Sequence, residues 1–272
     1  MNASNPFFIT STKKTKTGTM YKLKRWINEE ELNWEKLSAN PRAIRLLEAN
    51  PEKIDWYELS ANPEGLALCR GNLDWFGLSK NPNAINLLEK NTHALNWTQL
   101  SRNPGAITIL EANPEKIVWM TLSSNPAAIH LLEANPDKID WDMLSLNPSA
   151  IPLLERNIDK INWTAFSENP AAISLLEHNF DWIDWNTLSA NPTAIHLLEQ
   201  YPEKVNIGQL HDNPSGLHLL ENSQVNWHRL SSNPDIFEYD YDGMAQEHLV
   251  LHEELFSVIF HPENFASRIA NL

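Results

Sequence analysis

Apolar and polar residues recur along this chain in one pattern of about 22 residues, and its cleanest copy is WMTLSSNPAAIHLLEANPDKID at residues 119–140. Each copy begins at a Trp anchor, replaced once by Ile, and continues with Leu, Ser and then Asn-Pro at fixed offsets. The ten anchors are Trp34, Trp56, Trp75, Trp97, Trp119, Trp141, Trp163, Trp185, Ile207 and Trp227. A fixed period of this length is typical of a solenoid or another repeat array.

The segment after each Asn-Pro predicts a short helix of about ten residues, which we call helix A. Asn is a favoured N-cap, and Pro is well tolerated at the first helical position. In the copy quoted above, apolar residues fall at i, i+1, i+3 and i+4, which is one face of a helix: Ala128, Ile129, Leu131 and Leu132. The helix should end near the second Asn-Pro, at Asn135, because Pro disfavours a helical residue before it. The PDKI stretch that follows is predicted to be an extended or turn linker.

A second short helix, helix B, is predicted to begin at each anchor. Asp or Asn precedes the anchor in nine of the ten copies, and Val118 is the exception. Asp and Asn are strong N-caps. Neither helix is long enough to be stable alone in water, so the repeats must be stabilised by stacking. We expect Trp, Leu, Ile and Leu to form continuous buried columns along the array.

These patterns predict an all-α fold, an α-solenoid of about ten 22-residue two-helix repeats. We expect a curved rod with three parts: a basic extended arm at 1–25, the repeat domain at 26–234 and a C-terminal helical cap and docking tail at 235–272. WINEEELN at 26–33 is predicted to cap the first repeat. A leucine-rich repeat is the alternative architecture, but it needs an LxxLxL strand, which the helical phase of AIxLLE contradicts. The repeated Asn and Ser are best explained as partners for unpaired backbone groups.

No arrangement of residues predicts catalysis, a cofactor site or a metal site, and the protein is not predicted to be an enzyme. Glu recurs after the Leu pair, and Lys recurs five residues later, which predicts an exposed ladder of weak ion pairs. A row of carboxylates that holds cations is the alternative. His130, His196 and His218 fall at one variable position, where exposed polar residues are the simplest interpretation and metal bridging is the alternative.

Charge and composition narrow the possible partners. The net charge is −14, but residues 1–25 hold six basic residues and no acid, so the remainder carries 15 basic and 35 acidic residues. Such an acidic body argues against binding nucleic acid, whose affinity comes mainly from neutralised phosphates. No apolar run is long enough for a membrane span. A single cysteine, Cys69, and the absence of a signal-peptide pattern predict a protein that is not secreted.

Four segments together resemble a family of helical-repeat proteins from large DNA viruses of eukaryotes, of the mimivirus and chlorovirus kind. They are YKLKRWI at 21–27, the LSxNPxAIxLLExNPxKIDW array, IFEYDY at 236–241 and the EEL…FHPENF tail at 253–265. The resemblance implies a non-enzymatic structural protein, such as a minor capsid or virion scaffold component that bridges other subunits, in the virion or the host cytoplasm. The alternative is an intracellular adaptor that binds a host or viral protein along the solenoid face. The recognition surface of such an adaptor would consist of three variable positions in each repeat. They are the first and second residues after the anchor and the fourth residue after Pro.

The two chain ends contain residues that the repeats lack, and we predict that they bind other protein subunits, including capsid proteins. A partner that binds at a single site must recognise residues that are not repeated along the array. Aromatic residues dominate interface energies, and the basic arm should seek an acidic surface. The candidate partner-binding residues are Phe7, Phe8, Lys13, Lys14, Lys16, Phe256, Phe260 and Phe265.

Overall fold

The computed structural model describes residues 21–69, 71–220, 224–246 and 249. The chain divides into two compact units, and the larger one, Lys22–Glu238, holds all ten repeats. In the other unit, the rings of Tyr21 and Tyr239 lie 4.9 Å apart and residues 241–246 are helical. The predicted all-α repeat fold is confirmed. No helix in the described part of the chain has the length and apolarity that crossing a membrane requires.

Each anchor begins a B helix, as predicted. In nine repeats the preceding Asp or Asn accepts a hydrogen bond from a backbone N–H of the first turn, and Val118 alone provides no such cap. The B helices are Trp34–Ala39, Trp56–Ala61, Trp75–Lys80, Trp97–Arg102, Trp119–Ser123, Trp141–Ser145, Trp163–Glu168, Trp185–Leu188, Ile207–Leu210 and Trp227–Leu230.

The A helices also form, but they are shorter than the predicted ten residues because the Asn-Pro turn precedes them as a separate turn. They are Ile44–Ala49, Leu66–Cys69, Ile85–Glu89, Ile107–Glu111, Ile129–Ala134, Ile151–Glu155, Ile173–His178, Ile195–Gln200 and the 3-10 helix Leu217–Leu220. In four repeats the Asn-Pro turn is itself a 3-10 helix: Pro82–Ala84, Pro104–Ala106, Pro148–Ala150 and Pro234–Ile236.

The linker after helix A, predicted to be an extended segment or a turn, forms one short helical turn. It is a 3-10 helix in which Pro commonly takes the first position, where its missing N–H costs nothing. These linker helices are Glu29–Glu31, Pro51–Lys53, Thr92–Ala94, Pro114–Lys116, Pro136–Lys138, Ile158–Lys160, Phe180–Trp182 and Pro202–Lys204.

The core consists of the Leu side chains and not of the Trp anchors. The residue three after each anchor is fully buried in every repeat, including Phe166, which stands in for Leu. The second Leu of helix A is buried as well, and Cys69 takes that position in the second repeat. The anchors themselves are half-buried, or exposed in the case of Ile207, so the expected buried Trp column is wrong.

A ladder of buried Ser and Asn side chains joins each repeat to the one before it. The Asn125 amide donates to the carbonyl oxygens of Ser101 at 2.9 Å and Asn103 at 3.0 Å, while its Oδ1 accepts from Ala127 N–H. The Ser123 hydroxyl donates to the Trp119 carbonyl and accepts from the backbone N–H at the start of the next B helix. These side chains therefore satisfy backbone groups, as the sequence predicted.

His211 stands where the other nine repeats have Ser, and it makes the same two connections. Its Nδ1 lies 2.6 Å from the Ile207 carbonyl oxygen, and its Nε2 accepts the Asn226 backbone N–H at 2.9 Å. The ring must carry its proton on Nδ1, because a backbone N–H can only donate.

The ladder continues from the last repeat to the first, so the unit Lys22–Glu238 is a closed ring. The Asn40 amide donates to the carbonyl oxygens of Ser231 at 3.2 Å and Asn233 at 3.1 Å. The Asn33 backbone N–H donates to the Ser231 hydroxyl at 2.8 Å. The first repeat thus receives from the tenth the contacts that every other repeat receives from its predecessor.

Residues 21–33 and residues 227–239 together build the tenth repeat. After Pro234–Ile236 the chain forms no A helix but a strand, β2 (Phe237–Tyr239), which pairs with β1 (Tyr21–Leu23). The Lys24 backbone N–H donates to the Ile236 carbonyl oxygen at 2.9 Å. The segment Glu29–Glu31 then forms the linker helix of this tenth repeat. The expected rod is therefore wrong, and residues 26–33 complete a repeat instead of covering an open end.

Ring closure predicts that the first ladder position is as important as an internal one. Asn40→Ala should lower the free energy of unfolding by about 2–4 kcal/mol, because it leaves two buried carbonyls without their amide donor. Asn125→Ala, at an internal position, should have an equal effect for the same reason. Urea denaturation followed by circular dichroism measures both. Asn135→Ala is the control, because its half-buried amide bonds only the Leu131 carbonyl. An effect of Asn40→Ala no larger than that of the control would contradict closure.

Candidate protein-interaction surface

The residue that follows each anchor is exposed in all ten repeats and forms a row along the B helices. The row consists of Glu35, Tyr57, Phe76, Thr98, Met120, Asp142, Thr164, Asn186, Gly208 and His228. Its large apolar members occur only in the second to fifth repeats, where Tyr57, Phe76 and Met120 are 39%, 42% and 54% exposed. An exposed apolar group on an otherwise polar row marks a candidate binding surface.

Close approach of two B helices brings Tyr57 and Phe76 together. A Cβ at Gly77 would lie 2.5 Å from the Tyr57 carbonyl oxygen, so only glycine permits this spacing. The two aromatic rings are 5.6 Å apart as a result. The repeat between them is shortened, and its turn passes through Gly71 at a φ of 102°, which glycine adopts readily.

Basic side chains lie beside these apolar residues. Lys80 and Arg102 are exposed and follow Phe76 and Thr98 by four residues, so each shares a helix face with its partner. The Arg102 Nε donates to the Ser124 hydroxyl at 3.3 Å. We call Tyr57, Phe76, Lys80, Arg102 and Met120 the helix-face patch. It combines apolar side chains with two basic side chains on an acidic body.

The Tyr57 hydroxyl remains a neutral hydrogen-bonding group in this patch. Partial burial raises its pKa, and the carboxylates of Glu58, Asp74 and Asp55 raise it further. The phenol is therefore protonated at neutral pH, and it can donate a hydrogen bond to a partner's acceptor.

All eight residues that we predicted to bind partners, in the arm and in the tail, lie outside the described residues. They are Phe7, Phe8, Lys13, Lys14, Lys16, Phe256, Phe260 and Phe265. Of the three variable positions proposed for an adaptor, the first after the anchor is exposed throughout. The second is buried or half-buried, as at Gly77 and Thr121, and contributes less surface than predicted.

The ion pairs seen among the described residues of the Glu row do not run to the Lys row as expected. Glu pairs instead with a side chain of the following repeat: Glu111 with His130, Glu177 with His196 and Glu199 with His218, each at 3.0 Å, and Glu133 with Arg156 at 2.9 Å. These side chains are about half exposed, so each pair contributes about 0–1 kcal/mol. The histidines are exposed, as predicted.

These features define the unit Lys22–Glu238 as a closed ring of two-helix repeats with an exposed candidate interaction surface. The family model of the periplasmic copper-binding protein NosD matches residues 62–228. The match covers more than half of the chain, which therefore belongs to that family. It lies within the repeat array and includes neither chain end. No curated protein and no solved structure matches the chain.

The described residues do not fit a copper ion. They contain no group of three or more His, Cys, Asp or Glu side chains that could hold a metal. Burial raises the pKa of the Cys69 thiol, an effect that its hydrogen bond with Ser60 only reduces, so the thiolate that copper prefers is disfavoured. Each exposed histidine of the helix A row faces a single carboxylate.

The geometry of the patch depends on Gly77, which gives a direct test. Gly77→Ala should lower the free energy of unfolding by about 1–3 kcal/mol, because its Cβ would collide with the Tyr57 backbone and force the two helices apart. Thermal unfolding measures the effect. Gly208→Ala is the matched control in another B helix, since its Cβ would meet only the Asn206 side chain, at 3.1 Å. Equal effects of the two changes would contradict the close approach.

Proposed function

We propose that the protein is a non-enzymatic interaction protein that binds another protein subunit through the helix-face patch. The observation that supports this most directly is the contact between the exposed rings of Tyr57 and Phe76, in a row where the other repeats place mostly polar residues. Aromatic, Met and Arg side chains are enriched in the cores of protein interfaces. All of these kinds of residue occur in the patch.

The partner that best suits this surface is a protein segment with apolar side chains beside carboxylates. Its apolar residues would cover Tyr57, Phe76 and Met120. Its carboxylates would approach Lys80 and Arg102, which lie one helical turn from the apolar row. The charge arrangement would reject basic segments, which the acidic remainder of the ring would otherwise attract.

The resemblance to viral repeat proteins supports a place in the virion, as a minor capsid or scaffold component that joins subunits, or in the host cytoplasm. The ring alters how it would bridge. The rings of Tyr21 and Tyr239 lie 4.9 Å apart, so the two terminal segments begin at the same place and not at opposite ends of a rod. Bridging would instead use the chain ends and the helix-face patch as two sites. The adaptor alternative needs the patch alone. Copper binding is not part of the proposal, because the described repeats do not supply a ligand set.

Quantitative mass spectrometry of purified virions separates the two versions of this proposal. A structural component should be present in a constant ratio to the capsid protein, and extensive washing should not remove it. An adaptor should be abundant in infected cells and absent from the particles. Absence from both would contradict the viral assignment while leaving the patch proposal to its own test.

Selection of displayed peptides on the intact ring tests the patch. Peptides that bind should combine apolar residues with Asp or Glu, and Phe76→Asn with Met120→Thr should weaken them at least tenfold, about 1.4 kcal/mol. The new residues occur in the same row, as Asn186 and Thr98, so the fold should tolerate them. Asn186→Thr, on the polar part of the row, is the control and should leave the affinity unchanged. Selection of basic peptides, or equal binding by all variants, would refute the proposal.

A further inference from the structure

In four repeats a lysine of the linker helix covers the Trp anchor of its own repeat. The ammonium groups of Lys53, Lys138, Lys160 and Lys204 lie 4.2–4.5 Å from the ring centroids of Trp34, Trp119, Trp141 and Trp185. A cation over an indole face is stabilised by the ring quadrupole. The fold therefore uses the same cation–π contact repeatedly, with a spacing of 19 residues between the two partners.

Trp182 breaks this series because it takes the lysine position in its own linker helix. Its ring stacks on the Trp163 anchor, with centroids 5.9 Å apart and an angle of 27° between the planes. The side chain is nevertheless 62% exposed, and no cation of the described residues lies over its outer face. One indole face is thus held by Trp163 and the other is open to solvent.

Lys160, at the equivalent position one repeat earlier, lies over Trp141, and two carboxylates occur in the linker helices around Trp182. Asp181 precedes it directly, and Asp159 holds the equivalent position in the linker helix one repeat earlier; both are exposed. Ile158, beside Asp159, is 46% exposed and adds apolar surface. In the next repeat Lys204 is already placed over Trp185, Phe180 and Tyr201, so this lysine is directed to other rings.

We infer that the outer face of Trp182 binds an arginine side chain of a partner protein. A planar guanidinium can stack flat on the indole while its N–H groups donate to a carboxylate. Asp181 and Asp159 provide such carboxylates, and the site takes from outside the kind of cation that the ring supplies itself at four other anchors. Arginine is favoured over lysine because only its fork can serve the ring and a carboxylate together. This surface is distinct from the helix-face patch, which favours acidic segments.

Titration of the intact ring with a short arginine-bearing peptide, alongside its lysine analogue, tests this inference by calorimetry at physiological salt. The arginine peptide should bind one site, and the lysine peptide should bind several-fold more weakly. Trp182→Ala should reduce the affinity for the arginine peptide at least tenfold. Ala94 occupies the same position in the third repeat, so this change is compatible with the fold.

A gain-of-function variant is the matched control. Lys138→Trp recreates the arrangement on Trp119, with Asp137 preceding it and Glu115 one repeat earlier, and it should raise the stoichiometry from one to two. Phe76→Asn with Met120→Thr should leave arginine binding intact, so failure at one surface is distinguishable from failure at the other. Unchanged affinity in the Trp182→Ala variant would overturn the inference. Equal affinity for both peptides, or preference for a proline-rich peptide without arginine, would overturn it as well.

Discussion

The buried asparagine at the end of each B helix is the constraint on which the rest of the structure depends. Its amide must find two acceptors and its oxygen one donor, and the preceding repeat and its own turn provide them. A buried polar group without partners costs about 1–3 kcal/mol, so a repeat can stack on its neighbour in only one register. Ten such ladders, together with the Leu row, hold helices that would be too short to persist alone. An open array would leave Asn40 and the carbonyls of the last repeat unsatisfied. Closure removes that cost at both ends at once.

The ring also determines where binding residues can be found. Positions that serve the ladder or the Leu core cannot vary without loss of stability, so surface chemistry is confined to the residue after the anchor, the helix A face and the linker helix. Departures from the repeat at these positions are informative, because the fold does not require them. Phe76 and Met120 depart from a mostly polar row, and Trp182 departs from a row in which lysine recurs. Each places apolar surface in solvent on a backbone that its neighbours hold rigid.

Local features of the fold could be predicted from the sequence, and features that accumulate around the ring could not. Asn-Pro and the Asp or Asn before each anchor specify helix starts by capping, which involves only residues three apart. Closure depends on the small rotation between neighbouring repeats, added up over all ten repeats. The sequence of a single repeat does not reveal that sum. Two features of the sequence do indicate closure. NEEELNW at 28–34 aligns without a gap with NPEKIDW at 50–56, and the tenth repeat lacks the residues of an A helix. The Trp anchors were predicted as core because indole is large and apolar. Their partners are lysines 19 residues away, a separation that inspection of one repeat does not connect. The Trp182 surface was missed for the same reason, since it is visible only when the lysine positions are compared between repeats.

The NosD family match spans both the residues that build the array and most of those that form the two candidate surfaces. Within the matched stretch, the residues that recur are those that build the array: the capping Asp or Asn, the buried Leu, and the Ser and Asn of the ladder. The buried Leu is apolar, and the ladder Ser and Asn already bond backbone groups. The matched stretch therefore contains the residues that stack the repeats. What a particular ring binds must come from side chains that the stacking leaves free to vary, and in this chain those side chains form an apolar and basic patch on the B helices and an aromatic and acidic surface at a linker helix.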